Sequence, residues 1–153
     1  MTTLVASTVA LRRWSQRIKK AHRDLALLLG SIGAEHWTWS PDDGFPSAAH
    51  CAVEALRAAE FAAAQLAGEA PRRGTARNLT AAEVSSRLEH AIRTLLNRLE
   101  CAVPGDLDGD VPSAEASARD SVEDAIFAAI AACIRAAGEI RFLLRLIDPA
   151  LVS

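Results

Sequence analysis

His50 and Glu54 are the residues of this sequence whose type and spacing are best suited to chemistry. They follow Phe45-Pro46-Ser47, in which Ser47 is typical of a helix N-cap. The i, i+4 spacing then places both side chains on one face of the helix, and Arg57 continues that face. A histidine and a carboxylate one turn apart can bind a divalent metal, or act as a general base with its orienting partner.

A metal site here would need a further ligand from another helix, because open catalytic sites usually have three protein ligands. The last helix offers few polar candidates, namely Cys133, Arg135, Glu139 and Arg141. The simpler interpretation is an exposed His50 near a helix N-terminus and a Glu54 paired with a basic neighbour. We favour the simpler interpretation and retain the metal or general-base site as the alternative.

The other three histidines are weaker candidates. His90 lies on the polar side of its predicted helix and is expected to face solvent. His22 borders an apolar seam and is expected to be a hydrogen-bonded residue at the edge of the core. His36 lies in a connector between helices, where Trp37 and Trp39 are expected to cover the end of the fold.

The three cysteines do not suggest a disulfide framework or a zinc ribbon, because they are odd in number and far apart. Cys51 and Cys133 fall on apolar stripes and are expected to be core residues, whereas Cys101 lies on a polar edge. Reduced thiols predict a cytoplasmic protein. No nucleophile elbow, phosphate loop or dinucleotide fingerprint is present.

Charge and hydropathy also limit the partners of the chain. The formal net charge of −2 gives no general attraction to nucleic acid, so nucleic acid is an unlikely partner. The basic residues of the first helix are expected to form a solvated face. No apolar run reaches the ~20 residues of a membrane span, so no membrane partner is expected.

The pattern of residues predicts helices throughout. About a fifth of the residues are alanine, the best helix former, and alternating β-branched runs are absent. We expect four helices that pack as one bundle, a single domain over residues 1–153. They are predicted from about Thr3 to Leu29, from Ser47 to about Gly68, from the capping box Thr80-Ala-Ala-Glu83 to Pro104, and from Ser117 or Ser121 to Asp148-Pro149.

The predicted core follows from apolar spacing on these helices. On the second helix the stripe contains Cys51, Ala55, Ala58, Ala62 and Leu66. The last helix has the widest apolar surface and is expected to be the most buried. Its main line runs from Val122 to Ile147, and the residues beside that line are Phe127, Ile130, Ile134 and Leu144.

Three short motifs together resemble the DinB/YfiT-like superfamily of bacterial four-helix bundles. The first is the connector Trp39-Ser40-Pro41, and the second is Phe45-Pro46-Ser47 with Glu60 further along the same helix. The third is the closing run Gly138-Glu139-Ile140-Arg141-Phe142-Leu143-Leu144-Arg145, similar to the family's Gly-Gln-Ile followed by a Leu-Arg pair. The resemblance covers nearly the whole chain in order.

The resemblance implies a metal position from which ligands are missing. In that family a divalent metal is held by one histidine on the second helix and two on the last. These positions correspond to Glu54, Ala132 and Ala136 in this chain. Because alanine cannot coordinate a metal, we expect the metal affinity to be lost and Glu54 to pair with Arg135 or Arg57 instead.

We therefore expect a DinB-like bundle that has lost its metal site, has no cofactor, and acts as a small-molecule-binding or protein-interaction module. The candidate cleft residues are His50, Glu54, Arg57, Arg135 and Glu139. The resemblance also implies a homodimer. The alternative is a metal-dependent transferase or hydrolase acting on a low-molecular-weight thiol or a related molecule, with zinc or nickel held by His50, Glu54 and Glu139.

Overall fold

The computed structural model of the chain describes residues 2–69, 78–101 and 122–152, and its side chains over 10–69, 78–101 and 122–150. Within these ranges the protein has five α-helices and no strand, which confirms the all-α prediction. The helices are α1 (Thr2–Ser31), α2 (Ala34–Trp37), α3 (Ala48–Leu66), α4 (Ala81–Cys101) and α5 (Val122–Ile147). A 3-10 turn, Pro149–Val152, follows α5.

The helix ends form where their capping residues predict. The Ser47 hydroxyl accepts a hydrogen bond from the His50 N–H at 3.2 Å, which satisfies one of the free donors at the start of α3. At the start of α4, the Glu83 carboxylate accepts from the Thr80 N–H at 2.7 Å, and the Thr80 hydroxyl accepts from the Glu83 N–H at 3.2 Å. Gly68 follows α3 with a φ of 69°, a conformation that glycine adopts without strain.

Two predicted boundaries lie outside the described residues. These are the end of the third predicted helix at Pro104 and the start of the last one at Ser117 or Ser121. The short helix α2 was not predicted. It follows α1 closely and positions Trp37, which is buried and donates its indole N–H to the Leu79 carbonyl at 2.9 Å. Trp39 remains 37% exposed, so of the two indoles that were expected to cover the end of the fold, only that of Trp37 is buried.

The four long helices pack in a ring, with α4 and α5 each in contact with both α1 and α3. α3 and α4 run in the same direction, because Leu79 lies beside the first turns of α3 and Arg87 binds Glu60 further along. α5 runs opposite to α3, since Phe142 near its end contacts Phe45 just before α3 begins.

α1 runs parallel to α5. Trp14, in the first half of α1, packs edge-on against Phe127 near the start of α5, with ring centroids 6.3 Å apart. The far end of α1 leads through α2 to Trp37, which lies where α3 and α4 begin. The first turns of α3 and α4 and the last turns of α1 and α5 are therefore at one end of the molecule.

The core lies inside this ring and differs from prediction on α3. Ala58 and Leu66 are half-buried, whereas Leu56, Ala59 and Gln65 are buried. α3 is covered on two sides, by α4 and by α5, so its buried arc is wider than a single stripe. That wider arc takes in the polar side chain of Gln65, which is 3% exposed.

α5 also departs from the predicted pattern. Its main line is buried from Val122 to Leu143, but Phe127 and Ile134 are 59% and 60% exposed. Both residues lie beside the main line, on a part of the apolar surface that is not buried. The reason is that α1 and α3 cover only part of the circumference of α5. None of the helices in the described ranges is both long enough and apolar enough to cross a membrane.

Candidate functional site

A small pocket between α3 and α5 brings together the positions that the sequence singled out. It has a volume of about 150 Å³ and is lined from α3 by His50, Cys51 and Glu54, with Pro46 just before that helix. From α5 it is lined by Ala132, Arg135, Ala136 and Glu139. The three positions to which the resemblance assigns metal ligands, Glu54, Ala132 and Ala136, thus share one pocket.

A second pocket of about 230 Å³ lies on the other side of the ridge formed by His50 and Glu54. It reaches from α3 to the residues before α4, where Asn78 has a φ of 63°. Its walls include Arg57, Val53, Ala49, Trp37, Thr38 and Leu79. All five predicted cleft residues therefore line one pocket or the other, and His50 and Glu54 line both.

The charged side chains around the ridge are partly paired. Arg57 donates to the Glu54 carboxylate at 2.8 Å, so Arg57, and not Arg135, is the cation that pairs with Glu54. Both side chains are about half exposed, and such i, i+3 pairs contribute only ~0.2–0.5 kcal/mol. Within the described ranges Arg135 is exposed and forms no ion pair, so its guanidinium remains accessible at the edge of the smaller pocket.

The Cys51 thiol closes the floor of the smaller pocket. Cys51 is buried, and its thiol lies near the Glu139 carboxylate. Burial, together with this nearby carboxylate, raises the pKa of Cys51 to about 12, because a buried thiolate beside a carboxylate is unfavourable. The nearby Arg135 opposes this shift. Cys51 is therefore a neutral donor and not a nucleophile at neutral pH.

The chemistry of the site follows from these donors and acceptors. In the described parts of the chain, no three His, Cys, Asp or Glu side chains come together in a way that could hold a metal ion. His50, Glu54 and Glu139 line one pocket, but they do not form a ligand set. What the pocket offers a ligand is one guanidinium, one imidazole, two carboxylates and an apolar wall formed by two alanines.

The remaining histidines lie elsewhere. His90 is exposed on α4, as predicted, and His36 is half-buried beside Glu35. His22 is half-buried on α1, and burial lowers its pKa, although the charge of Glu89 opposes this shift. These histidines contribute to neither pocket.

Sequence reasoning missed most of the larger pocket. Trp37, Asn78 and Leu79 come from segments that are distant from α3 in sequence, so no local spacing connects them. The one available signal is the capping box at Thr80, which fixes Leu79 just before a helix start. Sequence reasoning also missed that Cys51 lies near Glu139, since each residue was judged on the face of its own helix.

Comparisons with known proteins provide no relative for this chain. No protein-family model, no curated protein and no solved structure matches it.

Proposed function

We propose that this protein is a DinB/YfiT-like four-helix bundle in which the former metal position has become a binding pocket for a small polar molecule. One observation carries the proposal. Glu54, Ala132 and Ala136 were matched to metal positions by sequence alone, and they line the same pocket between α3 and α5. Two residues on one helix and one on another converge here, as a bundle site requires.

The packing of the helices supports the same proposal. Four long helices surround one core, and each is in contact with two neighbours. Ligand sites in bundles are built from side chains on facing helices, which is how α3 and α5 contribute here. The Phe45–Phe142 ring contact, at 5.5 Å, joins two of the motifs on which the resemblance rests.

The residues of the pocket indicate the class of ligand. The accessible guanidinium of Arg135 suits a carboxylate or phosphate group, which it can bind through two parallel hydrogen bonds. Glu139 lies one turn further along α5 and suits an ammonium or another donor. A cavity of about 150 Å³ can hold a molecule the size of benzene, so the enclosed part of the ligand has about six heavy atoms. A short zwitterion satisfies all three conditions.

The pocket assignment is tested by restoring the missing metal ligands. The double variant Ala132→His/Ala136→His is expected to bind Zn²⁺ or Ni²⁺ at a ratio of one per chain, because Glu54 then supplies a third ligand. The measurement is calorimetric titration of metal into protein whose helicity matches the wild type. Adding Glu54→Ala to the double variant should weaken binding at least about tenfold.

A matched control separates this site from a simple histidine pair. Ser86 and His90 are both exposed and one turn apart on α4, so Ser86→His creates a two-ligand pair away from the pocket. The control should bind metal more weakly than the double variant and should not respond to Glu54→Ala. Equal affinities would show that the three positions do not form one site. Because Ala136 is buried, the single variant Ala132→His is the second measurement if the double variant fails to fold.

The ligand class is tested separately on the wild-type protein. Short zwitterions such as free amino acids are titrated and followed by the NMR shifts of Ala132 and Ala136. Saturable shifts that disappear in Arg135→Ala are expected. The metal-enzyme alternative predicts about one zinc or nickel per purified chain that is lost in His50→Ala/Glu54→Ala, and elemental analysis with that result would overturn the proposal.

A further inference from the structure

The larger pocket has no part in the function proposed above. Its volume is about 230 Å³, and three separate segments enclose it: the end of α2, the first half of α3 and the residues just before α4. Trp37 is buried in its wall, and Val53 and Leu79 are half-buried beside it. An apolar wall with a few polar groups at its edge is typical of a site for a small molecule.

We propose that the larger pocket binds a neutral, planar, bicyclic nitrogen heterocycle that has a ring N–H next to a ring nitrogen acceptor. The purine bases belong to this chemical class. The proposal goes beyond the function proposed above and does not rest on it, because the two pockets have only His50 and Glu54 in common.

The volume of the pocket sets the size of the ligand. A cavity of about 150 Å³ holds benzene, so a cavity of about 230 Å³ holds about nine heavy atoms on the same scale. That is the number of atoms in a five-membered ring fused to a six-membered ring. A larger molecule would extend out of the pocket mouth.

Trp37 favours a planar ligand. Its indole N–H is donated to the Leu79 carbonyl at 2.9 Å, which holds the ring between α2 and the start of α4. Because the N–H is already used, the indole offers a ligand only its aromatic surface. Aromatic surfaces pack favourably against other rings, and Ala49 and Val53 of α3 leave room for one.

Asn78 provides the polar group that selects the edge of the ligand. It is the one non-glycine residue of the described ranges with a positive φ, 63°, which asparagine tolerates better than most residues. No described residue hydrogen-bonds to its side-chain amide, so one donor group and one acceptor are available to a ligand. A carboxamide pairs with an adjacent donor and acceptor through two parallel hydrogen bonds, as asparagine does with adenine.

Charge favours a neutral ligand over an ion. Arg57 and Glu54 both line the larger pocket, but they pair with each other at 2.8 Å, so neither charge requires a counter-ion from a ligand. His50 adds an imidazole that can donate or accept a hydrogen bond. The smaller pocket differs in this respect, because it contains the accessible guanidinium of Arg135.

The test compares two ligands that differ at one ring atom. Indole and 7-azaindole have the same fused rings, but only 7-azaindole has a nitrogen acceptor next to its N–H. Each is titrated into the full chain and followed by the NMR signals of the Trp37 indole N–H and the Asn78 side-chain amide. Saturable shifts are expected with 7-azaindole at a dissociation constant on the order of 1 mM. Indole should bind at least about fivefold more weakly.

Asn78→Gly tests the selecting residue, because glycine adopts a φ of 63° without strain and only the amide is removed. The variant should bind indole and 7-azaindole with equal affinity. Asn78→Asp keeps the shape of the side chain but replaces its N–H donors with an oxygen, so it should also lose the preference. Adenine and adenosine are titrated into the wild type to distinguish a free base from the base of a nucleoside, and binding of either one supports the proposal.

A matched pair of variants on α3 tests the location of the site. Ala49 and Ala64 are both half-buried, but only Ala49 lines a pocket. Ala49→Leu fills the larger pocket and should weaken 7-azaindole binding at least about fivefold, whereas Ala64→Leu should leave it unchanged. Arg135→Ala should also leave it unchanged, which separates this proposal from that for the smaller pocket.

Three results would each overturn the proposal. The first is the absence of saturable shifts with 7-azaindole, adenine and adenosine. The second is equal affinity of the wild type for indole and 7-azaindole, or a preference that persists in Asn78→Gly. The third is an equal effect of Ala49→Leu and Ala64→Leu on the binding of 7-azaindole.

Discussion

Replacing Gln65 with methionine is expected to stabilise the protein, because both polar atoms of its amide are buried without a hydrogen-bond partner in the described ranges. An unpartnered buried amide costs ~1–3 kcal/mol relative to a satisfied or apolar group. Methionine keeps the unbranched shape of glutamine and adapts to the existing cavity. We therefore expect Gln65→Met to raise the free energy of unfolding by about 1–3 kcal/mol.

The assay is urea unfolding followed by the helical circular dichroism signal. For a domain of this size each kcal/mol changes Tm by about 2–4 °C, so thermal unfolding should move upward by about 2–12 °C. The matched control is Gln16→Met, because Gln16 is exposed on α1 and has no buried amide to relieve. The control should change stability by less than about 0.5 kcal/mol.

The outcome that would refute this reasoning is a loss of stability. If Gln65→Met destabilises the protein by more than about 1 kcal/mol, the amide must be making hydrogen bonds that methionine cannot replace. A buried water would be the simplest source of those bonds. Equal gains from Gln65→Met and Gln16→Met would instead show that the effect comes from helix propensity and not from burial.

Three other predictions follow from the thiols, the half-buried histidine and the helix cap. Burial raises the pKa of Cys51 to about 12 and of Cys133 to about 11, so at pH 8 a thiol reagent should modify only the exposed Cys101 rapidly, and all three after unfolding. Burial lowers the pKa of His22 in the folded protein, so as pH falls the unfolded chain binds a proton at this histidine before the folded chain does. The free energy of unfolding should therefore fall as pH drops below about 6.5. His22→Gln should make Tm less dependent on pH in this range. Ser47→Ala should cost about 1 kcal/mol in urea unfolding.

The controls for these predictions lie in the same molecule. Rapid modification of two or more thiols in the folded protein would contradict the burial of the core cysteines. If lowering the pH reduces Tm by the same amount in the wild type and in His22→Gln, the pH dependence comes from other groups. Thr80→Ala is the comparison for the cap at Ser47, because it also removes a side-chain acceptor at a helix start.

Local features of this protein were predictable from sequence. The caps at Ser47 and Thr80 depend on hydrogen bonds three residues apart, so they form wherever the helix forms. The face shared by His50, Glu54 and Arg57 follows from helix geometry alone. The sequence therefore identified the part of α3 that lines both pockets.

Features that depend on neighbouring helices were not predictable. Ile134 looks as apolar as Ile130, yet one is exposed and the other buried, because only one side of α5 is covered. Gln65 is buried because it lies within the arc of α3 that α4 and α5 cover. The proximity of Cys51 to Glu139 likewise depends on the register of two helices, which no spacing within either helix specifies.

The order of the helices around the ring has a consequence for synthesis on the ribosome. The principal partners of α1 are α4 and α5, which begin at Ala81 and Val122, so α1 is buried only after these later helices have been made. These contacts give a higher contact order than a bundle of successive antiparallel hairpins, which slows folding. A nascent chain exposes the apolar seam of α1 until the distant helices emerge, and this exposed seam is where aggregation during synthesis would begin.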